Sequence, residues 1–202
     1  TTTPSRQTPV PWVNVLANPS FGTLVSERGA AHTWSRNSRE HRLTPWSNDP
    51  ILDPHGEALW VRDEDAREFW SPQPGPTPGG ARYEARHGFG SSSWRHRSHD
   101  LDQELTLLVA ADAPVKLTRL RLTNLTRSTR RLSVFCYARL VLGVLPEDVA
   151  YASVVEPARD GRTLLASNGL AGVFADGVAF ASAETTAEAV QIFSTADRAG
   201  FI

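Results

Sequence analysis

The second half of the chain shows the clearest alternation of hydrophobic and polar positions. In "LDQELTLLVA" (101–110), leucine and valine recur at every second position along most of the segment, which predicts a half-buried strand. The segment "VKLTRLRLTN" (115–124) starts on one phase and continues on the other, so we expect a β-bulge near Thr118 or Arg119. "RLSVFCYARLVLG" (131–143) is largely apolar, which predicts a strand in the middle of a sheet.

Three turn-forming dipeptides then follow at a step of eight residues: Asp160-Gly161, Asn168-Gly169 and Asp176-Gly177. Each of them favours a tight turn with a positive φ angle. The apolar segments that accompany them, "TLLAS", "AGVFA" and "VAFAS", have the length of short strands. This region is therefore predicted to be a β-meander.

The first half of the chain has shorter strand candidates with long polar or proline-rich connections between them. The candidates are "PWVNVL", "FGTLVS", "EALWVR", "EFWS", "RYEARHG" and "SSSWRHRS". "SPQPGPTPGG" (71–80) is predicted to be a loop or a flexible excursion, and "RDEDARE" (62–68) forms one helical turn at most. Many short strands without amphipathic helices are typical of sandwiches and barrels.

These patterns predict an all-β fold built from stacked antiparallel sheets. We expect one β-sandwich domain over residues 1–202, irregular and loop-rich over 1–100 and a regular meander over 101–195. The chain contains no methionine, starts with "TTTPSRQ" and stops at "DRAGFI", so it is expected to be a piece of a longer protein.

Composition adds limits on function. The net charge is −1 over 202 residues, which gives no reason to expect nucleic acid or an anionic membrane surface as a partner. The single cysteine, Cys136, excludes an internal disulfide, and its apolar neighbours predict a buried, unreactive thiol. No apolar run approaches the ~20 residues of a membrane span.

The run "HTWSRNSREHRLTPWSNDP" (32–50) departs from the strand pattern and has the character of a loop. It combines arginines, acids and amides, and two tryptophans, Trp34 and Trp46, bracket it. An indole ring can cover the apolar face of a sugar while charged and amide groups bond its hydroxyls, so a polyhydroxylated ligand is one interpretation. A charged surface loop that Trp46 anchors is the other.

The remaining tryptophans and the acids have simpler interpretations. Trp12, Trp60 and Trp70 are flanked by strand-like residues and are predicted to be core rings. Four acids lie close in sequence, and a pair of carboxyls is what glycoside hydrolysis needs. Acids among arginines and histidines more often form ion pairs. The four acids are Glu40, Asp49, Asp53 and Glu57.

The histidines do not indicate a metal site. His96 and His99 are three residues apart in a strand-like segment, which predicts that they lie on opposite faces. No third ligand is apparent from the sequence. His87, in "YEARHGFG", is interpreted as a strand-end histidine before Gly88.

Long strings of this sequence resemble glycoside hydrolase family 94. They are "PWVNVLANPSFGTLVSERG", "TWSRNSREHRLTPWSNDPILDPHGEALWVRDE", "YEARHGFG" and "RLRLTNLTRSTRRLSVFCYARLVLG". The family contains the cellobiose, cellodextrin and chitobiose phosphorylases, formerly glycosyltransferase family 36. "NSREHRLTPWSNDP" is most similar to the phosphorylase-like region of cyclic β-1,2-glucan synthases. "FSTADRAGFI" resembles the segment that precedes the family's linker and helical domain.

The resemblance implies an N-terminal β-supersandwich followed by a helical (α/α)₆ barrel that this chain lacks. In the family, phosphate attacks the anomeric carbon with inversion, and the acid and the phosphate ligands belong to the barrel. No catalytic residue is therefore assigned here, and no cofactor is expected beyond phosphate as a co-substrate of the complete enzyme. Seven positions match family strings and are expected to bind substrate, to line its cleft or to meet a neighbouring subunit, with Arg42 either a structural or a substrate-facing donor. They are Arg39, Glu40, Arg42, Trp46, Asn48, Asp49 and His87.

Three functions remain open at this stage. The first is a non-catalytic domain that supports the barrel of a phosphorylase or a cyclic-glucan-synthase-type enzyme and binds β-linked oligosaccharide. The second is an autonomous carbohydrate-binding module, and the third is a structural sandwich whose loop makes a homodimer contact. A stand-alone phosphorylase would be cytoplasmic, whereas a glucan synthase would be associated with the inner membrane.

Overall fold

The computed structural model describes residues 8–149, 151–186 and 190–196. In these ranges the regular structure is almost entirely strand, arranged in four antiparallel sheets, which confirms the all-β prediction. The chain divides into two units, residues 1–139 and 140–202. The first unit contains three of the sheets, and the second contains the fourth.

Ten strands make up the described part of the first unit. They are β1 (Val13–Asn18), β2 (Phe21–Ser26), β3 (Ala31–Ser35), β4 (Glu57–Asp63), β5 (Glu68–Trp70), β6 (Tyr83–Gly88), β7 (Ser91–Ser98), β8 (Leu101–Val109), β9 (Lys116–Asn124) and β10 (Leu132–Ala138). Their orders within the sheets are β1-β2-β3, β10-β4-β5 and β6-β7-β8-β9. Each strand candidate of the first half is confirmed, and β3 is an addition inside the run that was predicted to be a loop.

One hydrophobic core joins these three sheets. It is made of Leu16, Val25, Ala31, Leu59, Val61, Trp70, Trp94, Leu101, Leu105 and Leu107. The alternation along β8 explains its share, because Leu101, Leu105 and Leu107 all point to the same face and are at most 5% exposed. The prediction made from the pattern of β8 is confirmed.

The predicted β-bulge near Thr118 or Arg119 is wrong. Strands β8 and β9 pair in one continuous register from Leu101–Asn124 to Val109–Lys116. Leu117 lies on the outer face of the sheet and is 51% exposed. The apolar residues of β9 therefore lie on both faces of the strand, and their change of phase does not require a bulge.

The segment 131–143 was predicted to lie in the middle of a sheet with a buried thiol, and both expectations are wrong. Among the described residues, strand β10 pairs with β4 alone and forms the edge of its sheet. Cys136 is exposed. Over the ranges that the structure describes, β10 is therefore not buried on both faces, although its sequence is largely apolar.

The tryptophans divide differently from the prediction. Trp70 is a core ring, and so is Trp94, which is fully buried on β7. Trp60 is half-buried, and its Nε1 donates a hydrogen bond to Thr77 Oγ1 at 3.2 Å. Trp12 is 70% exposed, so its prediction as a core ring is wrong. Trp12 precedes β1. Along this strand exposed and less exposed residues alternate, so an apolar residue in or beside it need not face the core.

The proline-rich segment 71–80 is a loop, as predicted, but it packs on the rest of the unit. Its first residues, Ser71 to Gln73, are buried. Ser71 N donates to Thr77 O at 2.6 Å, and Gly75 N donates to Arg28 O at 2.8 Å. These bonds hold the segment in place, so the flexible alternative is not supported.

The second unit contains the predicted meander. Its strands are β11 (Ser153–Pro157), β12 (Thr163–Asn168) and β13 (Val178–Ser182), in the order β11-β12-β13, and a helical turn, α1 (Pro146–Val149), precedes them. "AGVFA" is not a strand, because it contains a 3₁₀ turn at Gly172–Phe174.

Of the three turn glycines predicted to have a positive φ, only Gly161 has one, at +68°. Asp160 Oδ1 accepts hydrogen bonds from the amides of Arg162 and Thr163 beside it. Asn168-Gly169 and Asp176-Gly177 lie beside the 3₁₀ turn, where a hairpin turn is not required. The closing string "FSTADRAGFI" lies partly outside the described residues.

Candidate functional site

Residues 36–49, here called the polar loop, follow β3 and fold back on it. The turn is closed by Asn37, whose Oδ1 accepts hydrogen bonds from the amides of Arg39 and Glu40, both at 2.9 Å. The chain then returns antiparallel to β3 through a bridge between Trp34 and Arg42. Residues 36–40 are exposed, so the loop has one open side.

Buried contacts fix the other side of the polar loop. His41 is 7% exposed, and its Nδ1 lies 3.0 Å from Ser35 O. Leu43 N donates to Thr33 O at 2.8 Å, and Thr33 N donates to Thr44 Oγ1 at 2.8 Å. Residues 41–44 of the loop are therefore attached to β3.

Three rings gather where the polar loop meets β3, and we call them the aromatic ledge (His32, Trp34 and Trp46). His32 and Trp34 are two residues apart on one strand and share a face, with ring centroids 5.4 Å apart. The ring of Trp46 lies 5.5 Å from His32. Trp46 is 40% exposed, whereas His32 is buried.

The imidazole of His32 is oriented by the polar loop. Its Nδ1 lies 2.9 Å from Thr44 O, and because a carbonyl oxygen only accepts, Nδ1 carries the proton of this bond. Burial lowers the pKa of His32, so the ring is neutral at pH 7. The central member of the ledge is therefore an uncharged ring in a fixed orientation.

A partly buried ion pair lies beneath this region. Lys116, the first residue of β9, pairs with Glu57, the first residue of β4, and their side chains are 15% and 18% exposed. Glu57 Oε1 accepts hydrogen bonds from Thr33 Oγ1 at 2.5 Å and from Thr44 Oγ1 at 2.8 Å. Lys116 Nζ also donates to Thr33 Oγ1 at 2.7 Å.

The ion pair keeps Glu57 ionised. Burial raises the pKa of Glu57, but the Lys116 ammonium and the hydrogen bonds from Thr33 and Thr44 outweigh it, and the pKa lies below its usual value. No local sequence pattern predicts this pair. Lys116 is the only lysine of the chain, and that was the one available signal.

The acids near the polar loop all have structural contacts. Asp49 Oδ1 accepts from the amides of Ile51 and Leu52, both at 3.0 Å, and closes a turn. Asp53 Oδ2 accepts from Ser26 Oγ at 2.6 Å. Glu57 has its ion pair with Lys116, so these three acids make contacts of the structural kind.

The other predicted residues of the polar loop are exposed or half-exposed. Arg39 and Glu40 form an exposed ion pair, with Arg39 Nε 3.4 Å from Glu40 Oε1. Asn48 is exposed two residues after Trp46, and Arg42 is half-exposed at the bridge to Trp34. The structure thus brings six of the seven predicted residues onto one loop.

The seventh residue, His87, has its contacts elsewhere. It lies near the end of β6, its Nδ1 is 2.9 Å from Ser92 Oγ, and its ring meets Trp94 edge-on at 6.1 Å. Burial lowers the pKa of His87. These contacts are with β7 and agree with its interpretation as a strand-end histidine.

The histidines at 96 and 99 do not lie on opposite faces as predicted. His96 Nε2 and His99 Nδ1 both contact Ser98 Oγ, at 3.0 and 2.8 Å. His99 follows the end of β7 with a φ of +53°, so strand alternation no longer applies to it. Within the described ranges, no group of three or more His, Cys, Asp or Glu side chains is placed to hold a metal ion.

Comparison with known proteins identifies the class. The model of the glycosyl hydrolase 94 supersandwich domain matches residues 1–202. The chain belongs to this family, as a supersandwich domain. It is 39% identical over 162 residues to the cyclic beta-(1,2)-glucan synthase NdvB of Rhizobium meliloti (strain 1021), which covers 80% of this chain and 6% of that protein.

Two more distant relatives are phosphorylases. The N,N'-diacetylchitobiose phosphorylases of Vibrio furnissii and Vibrio proteolyticus are 24% and 22% identical to this chain over 143 residues. Each match covers 69% of this chain and 18% of the phosphorylase. The chain thus spans less than a fifth of the length of these relatives. In the part of the chain that the structure describes, no helix is long and apolar enough to cross a membrane.

Proposed function

We propose that this chain is a non-catalytic, carbohydrate-associated domain of an inverting β-glucoside phosphorylase or of a cyclic-β-glucan-synthase-type enzyme. In this role the open side of the polar loop and the aromatic ledge line the cleft for a β-linked oligosaccharide, beside a helical catalytic barrel. One observation carries the proposal: the polar loop is fixed by buried bonds on one side and open on the other, with the indole of Trp46 40% exposed.

The chemistry of the loop suits a sugar. A sugar ring has apolar faces and a rim of hydroxyls that both donate and accept hydrogen bonds. The exposed indole of Trp46 offers a flat apolar surface, and the exposed Arg39, Glu40 and Asn48 offer donors and acceptors from the same loop. A wall that is already ordered positions a substrate without a large entropic cost on binding.

Family membership supports the enzyme class. One relative is a synthase of a cyclic beta-(1,2)-glucan and two are phosphorylases of N,N'-diacetylchitobiose. The acids around the polar loop are occupied by turns and ion pairs, so proton transfer is left to the catalytic barrel.

Kinetics of the complete enzyme test this proposal. Trp46→Ala is expected to raise KM for the oligosaccharide about tenfold with a smaller effect on kcat, because the indole binds substrate and takes no part in proton transfer. Trp12→Ala is the matched control, since Trp12 is an even more exposed indole that precedes β1. Equal KM values for the two variants would contradict the proposal.

An autonomous carbohydrate-binding module is the second candidate, and the exposure of Trp46 favours it. Isothermal titration of the chain alone with β-1,2- and β-1,4-glucan oligosaccharides separates the two. A cleft wall binds weakly or not at all without the barrel, whereas a module binds tightly by itself.

The homodimer contact has its own test. Arg42→Ala in the complete enzyme, followed by sedimentation velocity and turnover, separates a subunit contact from a substrate contact. Loss of the dimer at unchanged turnover would assign the polar loop to the contact between subunits.

A further inference from the structure

We propose that the ion pair between Glu57 and Lys116 is a positioning device that holds the aromatic ledge in the geometry that faces the ligand. In this role neither residue contacts the ligand. They act through two threonine hydroxyls and the backbone beside them. The link to substrate rests on the proposed function, whereas the link to the geometry of the ledge stands independently of it.

The ion pair lies where three sheets converge. Lys116 belongs to the sheet β6-β7-β8-β9, Glu57 to β10-β4-β5, and Thr33 to β1-β2-β3. The Glu57 carboxylate and the Lys116 ammonium both bond Thr33 Oγ1, so one hydroxyl links all three sheets. This arrangement fixes the position of β3 relative to the other two sheets.

Two paths lead from the carboxylate to the ledge. Thr33 lies between His32 and Trp34 in the sequence, so the position of Thr33 sets the backbone of both ring-bearing residues. Thr44 donates to the same carboxylate oxygen through Oγ1 at 2.8 Å, and its carbonyl accepts from His32 Nδ1 at 2.9 Å. Thr44 also lies two residues before Trp46, the third ring.

Energetics favour a positioning role over a stabilising one. Removing two charges from water costs free energy that their attraction only partly returns, and apolar pairs of similar volume are often as stable. Hydrogen bonds to the carboxylate have directional requirements that an apolar contact lacks. The ion pair therefore fixes the positions of its hydrogen-bond partners, Thr33 and Thr44, in a way that apolar side chains of the same volume do not.

The test replaces the pair by apolar side chains and observes each tryptophan separately. The full chain is labelled with 5-fluorotryptophan, and the ¹⁹F resonances of the six tryptophans are assigned by Trp→Phe substitutions. The double variant Glu57→Leu, Lys116→Met is expected to shift the resonances of Trp34 and Trp46 and to leave the core rings Trp70 and Trp94 unchanged.

Two further variants control for folding. Lys116→Arg keeps the charge and is expected to retain the wild-type spectrum. Thr44→Val leaves the ion pair intact and removes one of the two paths, so it is expected to shift Trp46 even if the double variant does not fold. Spectra in which Trp34 and Trp46 move no more than Trp94, in Thr44→Val as well, would overturn the proposal.

Kinetics of the complete enzyme separate this proposal from the proposed function. If both hold, Thr44→Val raises KM about threefold or more while kcat stays within about twofold. Shifted resonances with an unchanged KM would leave the positioning role intact and refute the role of the ledge in substrate binding. A KM that responds to Trp46→Ala but not to Thr44→Val, with unshifted resonances, would refute the positioning role alone.

Discussion

Gly22 and Trp34 are cross-strand neighbours in direct contact. The register of β2 and β3 pairs them, and a Cβ atom at position 22 would lie 2.7 Å from Trp34 Cε2. It would also lie 2.9 Å from the Cβ of Ala17 on β1. The indole therefore occupies the space that a side chain at position 22 would need.

This contact makes Gly22→Ala an informative substitution. We expect it to displace Trp34 and to destabilise the fold by about 1–3 kcal/mol, because overpacking forces neighbouring side chains out of their preferred positions. Urea denaturation measures the change. Gly169→Ala is the matched control, since a Cβ there meets no heavy atom within 4 Å. Similar losses for the two variants would show that the contact with Trp34 is not the cause.

The ion pair predicts an acid dependence of stability. The folded pKa of Glu57 is lowered, so its contribution is fully present above its unfolded pKa of about 4.3. That contribution is lost as the pH falls through the folded value. We expect the unfolding free energy of the wild type to fall more steeply below this pH than that of Glu57→Leu, Lys116→Met. Parallel profiles from pH 3 to 7 would contradict a lowered pKa.

His96 predicts a second window of pH dependence. Burial lowers its pKa to about 4, with a smaller contribution from His99. Between that value and the unfolded pKa of about 6.5, the unfolded chain binds the extra proton, so stability falls as the pH falls. The full effect of this one group is roughly 2–4 kcal/mol. His96→Gln is expected to flatten the profile between pH 4 and 6.5, and an unchanged profile would refute the assignment.

Asp49 separates a structural role from a ligand-binding one. Its Oδ1 accepts from two backbone amides, so Asp49→Ala is expected to cost about 1 kcal/mol of stability. Asp49→Asn keeps an acceptor oxygen and is expected to stay near the wild type in thermal unfolding. If Asp49→Asn instead abolishes sugar binding at unchanged stability, the carboxylate contacts the ligand.

The strands of this protein could be predicted well because their signals are local. Alternation in β8 and short apolar runs between turn residues depend only on neighbours in the chain, and the structure confirms the alternation and two of the three runs of the meander. The ends of strands were harder to predict. His99 is the first residue after β7, so the alternation of faces along the strand does not apply to it. The position of a strand in its sheet was also not predictable. The apolar composition of a segment such as β10 does not show whether the strand lies at the edge or in the centre of its sheet.

The chemistry of the candidate site was partly visible as well. The arginines, acids, amides and tryptophans of the run 32–50 stood out in composition, and six of the seven predicted residues lie on the polar loop. Their division into an open side and a fixed side could not be predicted. It depends on bonds from the loop to β3 and to Glu57, and these follow from the folding of residues 36–49 back on the strand.

By itself, the amino-acid sequence determined the positions of most strands and the family, because these depend on residues close together in the chain. The tertiary structure decided which strands pair, which faces are covered and which charges meet. Lys116 is 59 residues from Glu57 and 83 from Thr33, and no local pattern links them. They meet because the order and register of three sheets bring the first residues of β4 and β9 beside β3.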